Sequence, residues 1–262
     1  MSGAVTIMPI KYSRRLTGRK RTAQANRHLG FMLAFVAGAT NAGGFLAVHQ
    51  YTSHMTGIVS SMADHLALGA YREYLTGFGA LLSFIAGSAC TAIMVNYARS
   101  RKMHSEYALP LLLEAALLLC FGVLGNKLSE IAGLFVPLTV MLLSFIMGLQ
   151  NAVITKLSRS EIRTTHITGL VTDIGIELGK LVYWSAPGSN HLPKVFANRD
   201  RLQVLISLAV LFFTGGVIGV WGFKLVGYIA TVPLALLLVA MASVPAVDDF
   251  VVFTRRRTRW RK

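Results

Sequence analysis

The sequence predicts an all-α fold: a polytopic transmembrane helical bundle of about six crossings, with two re-entrant or broken His-x-Thr-Gly segments, built as an inverted internal repeat. Three observations carry that expectation. The 262 residues are 54% hydrophobic and only 14% charged, and their apolar runs are long enough for a hydrocarbon layer of ~30 Å, which takes ~20 residues per helix. The signature His54-Met55-Thr56-Gly57 returns as His166-Ile167-Thr168-Gly169, each copy after a hydroxyl pair, Thr52-Ser53 or Thr164-Thr165. The run before it repeats as well. Leu33, Phe35, Gly38, Asn41 and Ala42 recur 110 positions later as Leu143, Phe145, Gly148, Asn151 and Ala152, and Val59 and Leu66 recur at an offset of 112 as Val171 and Leu178. Finally, the formal charge of +15 is concentrated at the two ends and in short loops beside apolar runs, which is the positive-inside pattern. No basic stripe alternates with aromatics on a soluble element, so nucleic acid is excluded as a partner.

Residues 1–27, with Lys11, Arg14, Arg15, Arg19, Lys20, Arg21 and Arg27, read as a basic cytoplasmic tail. They look like the start of a signal peptide, but the apolar run after them holds the first repeat copy, so cleavage there would destroy the duplication. Residues 28–127 form the first membrane repeat and 134–248 the second, and 249–262 are a second basic cytoplasmic tail. Within the repeats, 29–49, 75–98, 108–126, 134–155, 203–223 and 228–247 have the length and apolarity of crossings. Two stretches, 53–70 and 165–184, are weaker, because they carry the motifs together with Asp64, His65, Asp173, Glu177 and Lys180. Cys90 and Cys120 lie inside apolar runs as small packing residues, with no disulfide or thiolate site around them.

Loop charge decides whether the weak stretches cross. If all eight segments crossed, Arg99, Arg101 and Lys102 would fall outside together with Lys156, Arg159 and Arg163, against the positive-inside rule. If each weak stretch enters and leaves on one side, these clusters return to the cytoplasm, and only Arg72, Lys127 and Lys224 stay outside. Each half then holds an odd number of crossings, so the second half is inverted and both termini are cytoplasmic. Broken segments in inverted halves, meeting near the midplane, are a plan shared by transporters and channels.

The chemistry comes from that plan. In His54, Thr56 and Gly57, and in His166, Thr168 and Gly169, a hydroxyl caps backbone N–H groups, glycine admits a close neighbour and the helix end stays partly positive. Two such ends hold a polar solute or ion, with the imidazoles as hydrogen-bonding or proton-carrying groups; alternatively the threonines are caps, the glycines packing contacts and the histidines interfacial. Asn41 and Asn151 occupy equivalent places before the motifs. An amide in hydrocarbon must find a partner, the nearest being backbone freed in the broken segment or a hydroxyl across the repeat interface, so each asparagine either fastens helices or contacts the solute. Glu114 sits deep in an apolar span with no base near it in sequence, which makes it a functional candidate by default. Asp173, Glu177 and Lys180 share one helical face, either as a self-neutralising triad or as part of a polar path.

Catalytic and metal motifs are missing: there is no His-Glu-x-x-His, Cys-x-x-Cys, Gly-x-Ser-x-Gly, phosphate loop or dinucleotide fingerprint. No enzymatic activity, cofactor or metal is expected. The stretch from Gly38 through Asn41 to Thr52-Ser53-His54-Met55-Thr56-Gly57 resembles the YoaK-like family of bacterial membrane proteins, a domain of unknown function. The resemblance implies a polytopic cytoplasmic-membrane protein and brings no substrate or catalytic residues. The residues themselves suggest a transporter or channel for a small solute or ion with the paired motifs at a midplane site; the alternative is a membrane scaffold in which the motifs pack helices. The expected partners are the lipid bilayer and a small molecule or ion, with a homo-oligomer allowed.

Overall fold

The computed structural model describes residues 23–101, 103, 105–128, 135–157, 167–183 and 196–243, and all their regular structure is helical. In order these are α1 (Ala23–Val48), α2 (Met55–Ala67), α3 (Tyr71–Ser100), α4 (Ala108–Leu128), α5 (Phe135–Leu157), α6 (Ile167–Val182) and α7 (Arg199–Val226). A 3-10 turn, Gly227–Ala230, leads into α8, residues 231–243. The six strong stretches of the sequence correspond to α1, α3, α4, α5, α7 and α8, and the two weak ones to α2 and α6.

Four helical runs are long and apolar enough to cross a membrane: Gln24–Val48, Tyr71–Ser100, Val136–Leu157 and Arg199–Ser243. The last is a hairpin. Gly227 has φ 67°, a left-handed value that suits glycine, and the Phe223 and Tyr228 rings meet edge-on across the reversal. A shorter apolar stretch, Ala108–Val123, belongs to α4. By contrast α2 has 13 residues and α6 has 16. At 1.5 Å per residue they are ~20 and ~24 Å long, short of the hydrocarbon layer.

Helix directions follow from who meets whom. Phe35, Ala39 and Gly43 of α1 face Gly215, Gly219 and Phe223 of α7, so these helices run parallel. A side chain at Gly38 would strike the Phe212 carbonyl, and one at Gly215 the Phe35 carbonyl. The α3–α5 pair has the same device: Gly148 lies on the Phe84 carbonyl and Gly87 on the Phe145 carbonyl. Phe35 and Gly38 precede Phe145 and Gly148 by 110 positions, and Phe84 and Gly87 precede Phe212 and Gly215 by 128. Lipid is as apolar as leucine, so helices associate through close backbone approach and interhelical hydrogen bonds. Ser88 and Thr91 add the latter, donating to the Gly148 and Leu149 carbonyls at 3.1 and 3.0 Å.

The remaining contacts are antiparallel. Gln150 Nε2 donates to the Leu33 carbonyl at 3.1 Å, and Gly44 faces Leu143, so α5 descends as α1 ascends. Thr231 Oγ1 donates to the Leu118 carbonyl at 2.9 Å, while Tyr228 lies against Gly125, which opposes α8 to α4. Together these contacts sort the six helices other than α2 and α6 into two sets: α1, α4 and α7 run one way, and α3, α5 and α8 the other.

The core is built from α1, α4, α5 and α8, with Leu33, Leu111, Leu118, Leu143, Met147 and Leu238 among its buried side chains. In the apolar windows of α1 and α5 61% of residues are buried, against 22% in α3, so α3 turns Phe78, Leu82, Ile85 and Ile93 outward. At one end, Arg99 Nη2 donates to the Tyr107 hydroxyl at 2.9 Å, and that hydroxyl donates to the Lys156 carbonyl at 3.1 Å. The ends of α3, α4 and α5 with their basic residues thus share one face.

Candidate functional site

The first motif sits on a loop that turns back into the bundle. Beyond Val48 the backbone takes a left-handed step at His49, φ 52°. The chain then returns alongside α1 until Asn41 Oδ1 accepts from Ser53 N at 3.3 Å and Ser53 Oγ at 2.9 Å. Asn41 lies seven residues before the end of α1, so the loop reaches back by ~10 Å. The buried amide has found freed backbone, as expected, but the hydroxyl it meets belongs to its own half and not to the other side of the repeat interface.

Here the capping expectation needs correction. The residue before α2 is His54, which makes no side-chain cap hydrogen bond, and Thr56 is already inside the helix. Its glycine has a local reason: the nearest atoms to a side chain at Gly57 would be those of the His54 ring. The spacing His-x-x-Gly therefore lets the imidazole lie over the first turn. Among the described residues no atom lies within 4 Å of a side chain at Gly169.

His54, Thr56, Thr168 and Gly169 are exposed at the surface of the bundle. His166 and Thr165 lie outside the described residues. Asn151 is as buried as Asn41, each 8% exposed. α2 packs on α3, and α6 on α7; the structure brings Asn41 to the first motif loop but does not gather the two motifs into one described site.

On α6 the expected triad is divided. Lys180 Nζ bonds Glu177 Oε1 at 2.9 Å, whereas Asp173 Oδ2 accepts from Arg201 Nη2 of α7 at 3.1 Å. Glu177 Oε2 also accepts the Asn198 N–H at 2.8 Å. The Lys180 hydrogen bond first, then the Asn198 N–H, hold the Glu177 carboxyl below the ordinary carboxylate range. A group lowered in this way stabilises the fold fully above its unfolded pKa, ~4.3 for Glu, and loses that contribution as pH falls through the folded value. The melting temperature of the wild type in detergent is therefore expected to exceed that of Glu177→Gln at neutral pH, with the gap closing on acidification to about pH 3. A gap that stays constant would show that Glu177 does not carry the α6–α7 junction.

Sequence reasoning identified Glu114 but missed its surroundings. Glu114 is 0% exposed and lies on the inward face of α4, between Leu111 and Leu118. Neither carboxyl oxygen has a hydrogen-bond partner among the described residues. Thr40, Ser144 and Gln150 are equally sealed, at 1%, 0% and 0% exposure, and Thr40 Oγ1, Ser144 Oγ and Gln150 Oε1 also lack partners. The Tyr107–Lys156 bond sets the register of antiparallel α4 and α5. On the facing stretches of α1 and α5, Thr40 and Ser144 lie between the Leu33–Gln150 and Gly44–Leu143 contacts. Thr40 and Gln150 are also 110 positions apart, the offset of the repeat. That identity of position, not of residue, was the only signal in the sequence that pointed to them. Thr52 Oγ1, buried beside the motif, is a further polar atom without a partner.

Long apolar helices, irregular backbone re-entering at Asn41 and a buried carboxyl define a multi-pass helical membrane protein. The chain belongs to the family described as "Protein of unknown function (DUF1275)", whose match spans residues 29–244. It is similar to the UPF0700 transmembrane protein YoaK of Bacillus subtilis (strain 168), with 26% identity over 201 residues, covering 75% of this chain and 84% of that protein. No solved structure matches it.

Proposed function

We propose that the protein moves a small solute or ion across the cytoplasmic membrane, as a transporter or channel, through the α1–α4–α5 centre between two inverted halves. The observation that carries this reading is the Glu114 carboxyl, wholly buried and without a hydrogen-bond partner among the described residues. An ionisable group at membrane depth is expensive and persists where it serves a path for ions, protons or solutes. Three helices run each way besides α2 and α6, and six crossings, with α2 and α6 entering and leaving on one side each, are the arrangement this reading takes. The shared 110- and 128-position spacings of the glycine contacts support an internal repeat. In this reading the two motifs open toward opposite faces of the membrane and both termini are cytoplasmic. The alternative is a membrane scaffold in which the motifs are packing devices; among the described residues the nearest atoms to a side chain at Gly57 are those of His54, and none lies within 4 Å at Gly169.

Purified protein in liposomes, tested with a panel of solutes with and without a pH gradient, is expected to move at least one of them; a folded protein that moves none overturns transport. Orientation has its own test. Cysteines at positions 53 and 165, introduced as Ser53→Cys and Thr165→Cys, are expected to label from opposite sides of the membrane. Labelling of both from one side would sink the inverted arrangement.

A further inference from the structure

A hydroxyl within a membrane helix ordinarily settles on a carbonyl, either of its own preceding turn or of the neighbouring helix. Thr155 and Thr214 take the first course, donating to the Asn151 and Leu211 carbonyls at 2.8 and 3.2 Å, and Ser88 and Thr91 take the second. Thr40 and Ser144 take neither, although both are sealed inside the core. Gln150 joins them by another route. The Leu33 carbonyl can only accept, so the nitrogen end of the amide meets it, and Oε1, on the same carbon, is left at the α1–α5 contact without a partner. With the two oxygens of Glu114, five buried side-chain oxygens on α1, α4 and α5 bond neither a donor among the described residues nor one another.

Their placement is not scattered. The 110-position offset equates α1 with α5 and Thr40 with Gln150, and these two helices touch at Leu33–Gln150 and Gly44–Leu143. Thr40 is about one turn from Gly44, and Ser144 is next to Leu143, so both hydroxyls belong to the second of these contacts. Glu114 is part of the same core. Leu111 and Leu118, about a turn to either side of it on α4, pack in one cluster with Leu33, Leu143 and Met147. The other buried carboxylate among the described residues, Glu177, is already paired with Lys180 on α6.

A donor set of oxygens alone, without free nitrogen or sulfur, suits a hard cation. One carboxylate balances one positive charge, whereas a divalent ion would leave a net charge sealed in the core. Ion sites at the interface between inverted halves are a recurrent feature of secondary transporters. We propose that Thr40 Oγ1, Ser144 Oγ, Gln150 Oε1 and the Glu114 carboxylate hold a dehydrated alkali-metal cation where α1 and α5 meet. This names the ion of the transport reading, as cargo or coupling ion, and rests on that reading for its passage across the membrane; binding itself is measured without transport.

The test follows thermal melting of the full-length protein in detergent at constant ionic strength, with LiCl, NaCl or KCl replacing N-methyl-D-glucamine chloride. A site with a Kd of ~2 mM is expected to raise the melting temperature by roughly 5 °C at about 100 mM of the preferred ion. Thr40→Val and Ser144→Ala each remove one oxygen and are each expected to raise the apparent Kd about tenfold, the scale of one contact to a charged group. Glu114→Gln is expected to lose the shift. None of these three side chains gives up a hydrogen bond among the described residues, so with N-methyl-D-glucamine as the only cation the variants are expected to melt at or above the wild type. Thr155→Val, whose hydroxyl is committed to its own helix, is expected to keep the wild-type shift. Equal melting in all four salts would mean that a proton and water serve these oxygens, and overturns the proposal. So does a shift that survives unchanged in Thr40→Val, Ser144→Ala or Glu114→Gln, or one that Thr155→Val loses as well. An alkali-dependent shift without uptake in liposomes leaves the site standing and removes transport; uptake with melting indifferent to the cation removes the site and leaves transport.

Discussion

Glu114→Leu is expected to melt at a higher temperature than the wild type and to move no solute. Both carboxyl oxygens are sealed without a donor or counter-charge among the described residues, and an unmatched buried polar group costs ~1–3 kcal/mol, more if charged. Leucine between Leu111 and Leu118 removes that cost and keeps the volume, so stabilisation of ~1–3 kcal/mol is expected, or several degrees in melting temperature. Glu114→Gln keeps the shape and a polar tip but cannot carry charge or release a proton. It is expected to leave melting nearly unchanged while lowering uptake by about tenfold or more, the scale of one contact to a charged group. Stability gained together with function lost marks a group kept for its chemistry. Wild-type uptake by the leucine variant would remove Glu114 from the path and leave its burial as a packing matter.

Alanine at any of Gly38, Gly87, Gly148 or Gly215 is expected to be among the most destabilising single substitutions in the chain. At each of them the added carbon would fall on a backbone carbonyl of the partner helix, Phe212, Phe145, Phe84 or Phe35. A backbone cannot rotate away as a side chain can, so the helices must separate, at a cost of ~1–3 kcal/mol or more. Separation also loosens the Ser88 and Thr91 hydrogen bonds across α3 and α5. Gly169, Gly175 and Gly179 provide the contrast, since no atom of the described residues lies within 4 Å of a side chain there. Alanine at these sites of α6 is expected to be neutral or to stabilise by up to ~1 kcal/mol through helix propensity. Melting curves of the seven variants in detergent separate the groups, and an unchanged curve for Gly148→Ala would show that α3 and α5 do not touch there.

Apolar helices were legible because a hydrocarbon layer imposes length and apolarity on each helix separately: α1, α3, α4, α5, α7 and α8 fall on the expected stretches, and four runs among the described residues are long and apolar enough to cross. The weakness of the two motif segments was legible for the same reason, since polar residues interrupted them. Asn41 was placed correctly by asking where an amide in hydrocarbon could find a partner. Pairing between helices was not legible: Gly38 and Gly148 look like any small residues in an apolar run, and their partner carbonyls at Phe212 and Phe84 belong to the opposite half. Arg201 was missed as the partner of Asp173 because a salt bridge between helices has no fixed spacing, unlike Glu177 and Lys180 one turn apart. Thr40, Ser144 and Gln150 escaped notice because small neutral polar residues are common in membrane helices; only the burial of their free oxygens sets them apart.

The exchange of partners between halves also constrains how the protein is made. α1 finds its parallel neighbour in α7, and α3 finds its own in α5, so the first half emerges from the ribosome with its tightest surfaces unmatched. At about 5–20 residues per second, α1 waits roughly ten to forty seconds for α7 to be synthesised. During that interval the backbone carbonyl of Phe35 and the bare flank of Gly38 face lipid or whatever helper guards nascent helices. Two halves expressed as separate chains would meet the same problem in another form, each displaying a groove shaped for the other. Quality control in the membrane therefore has a defined moment to act: before α7 docks, a premature stop leaves a fragment whose glycine-lined faces remain open to recognition and proteolysis.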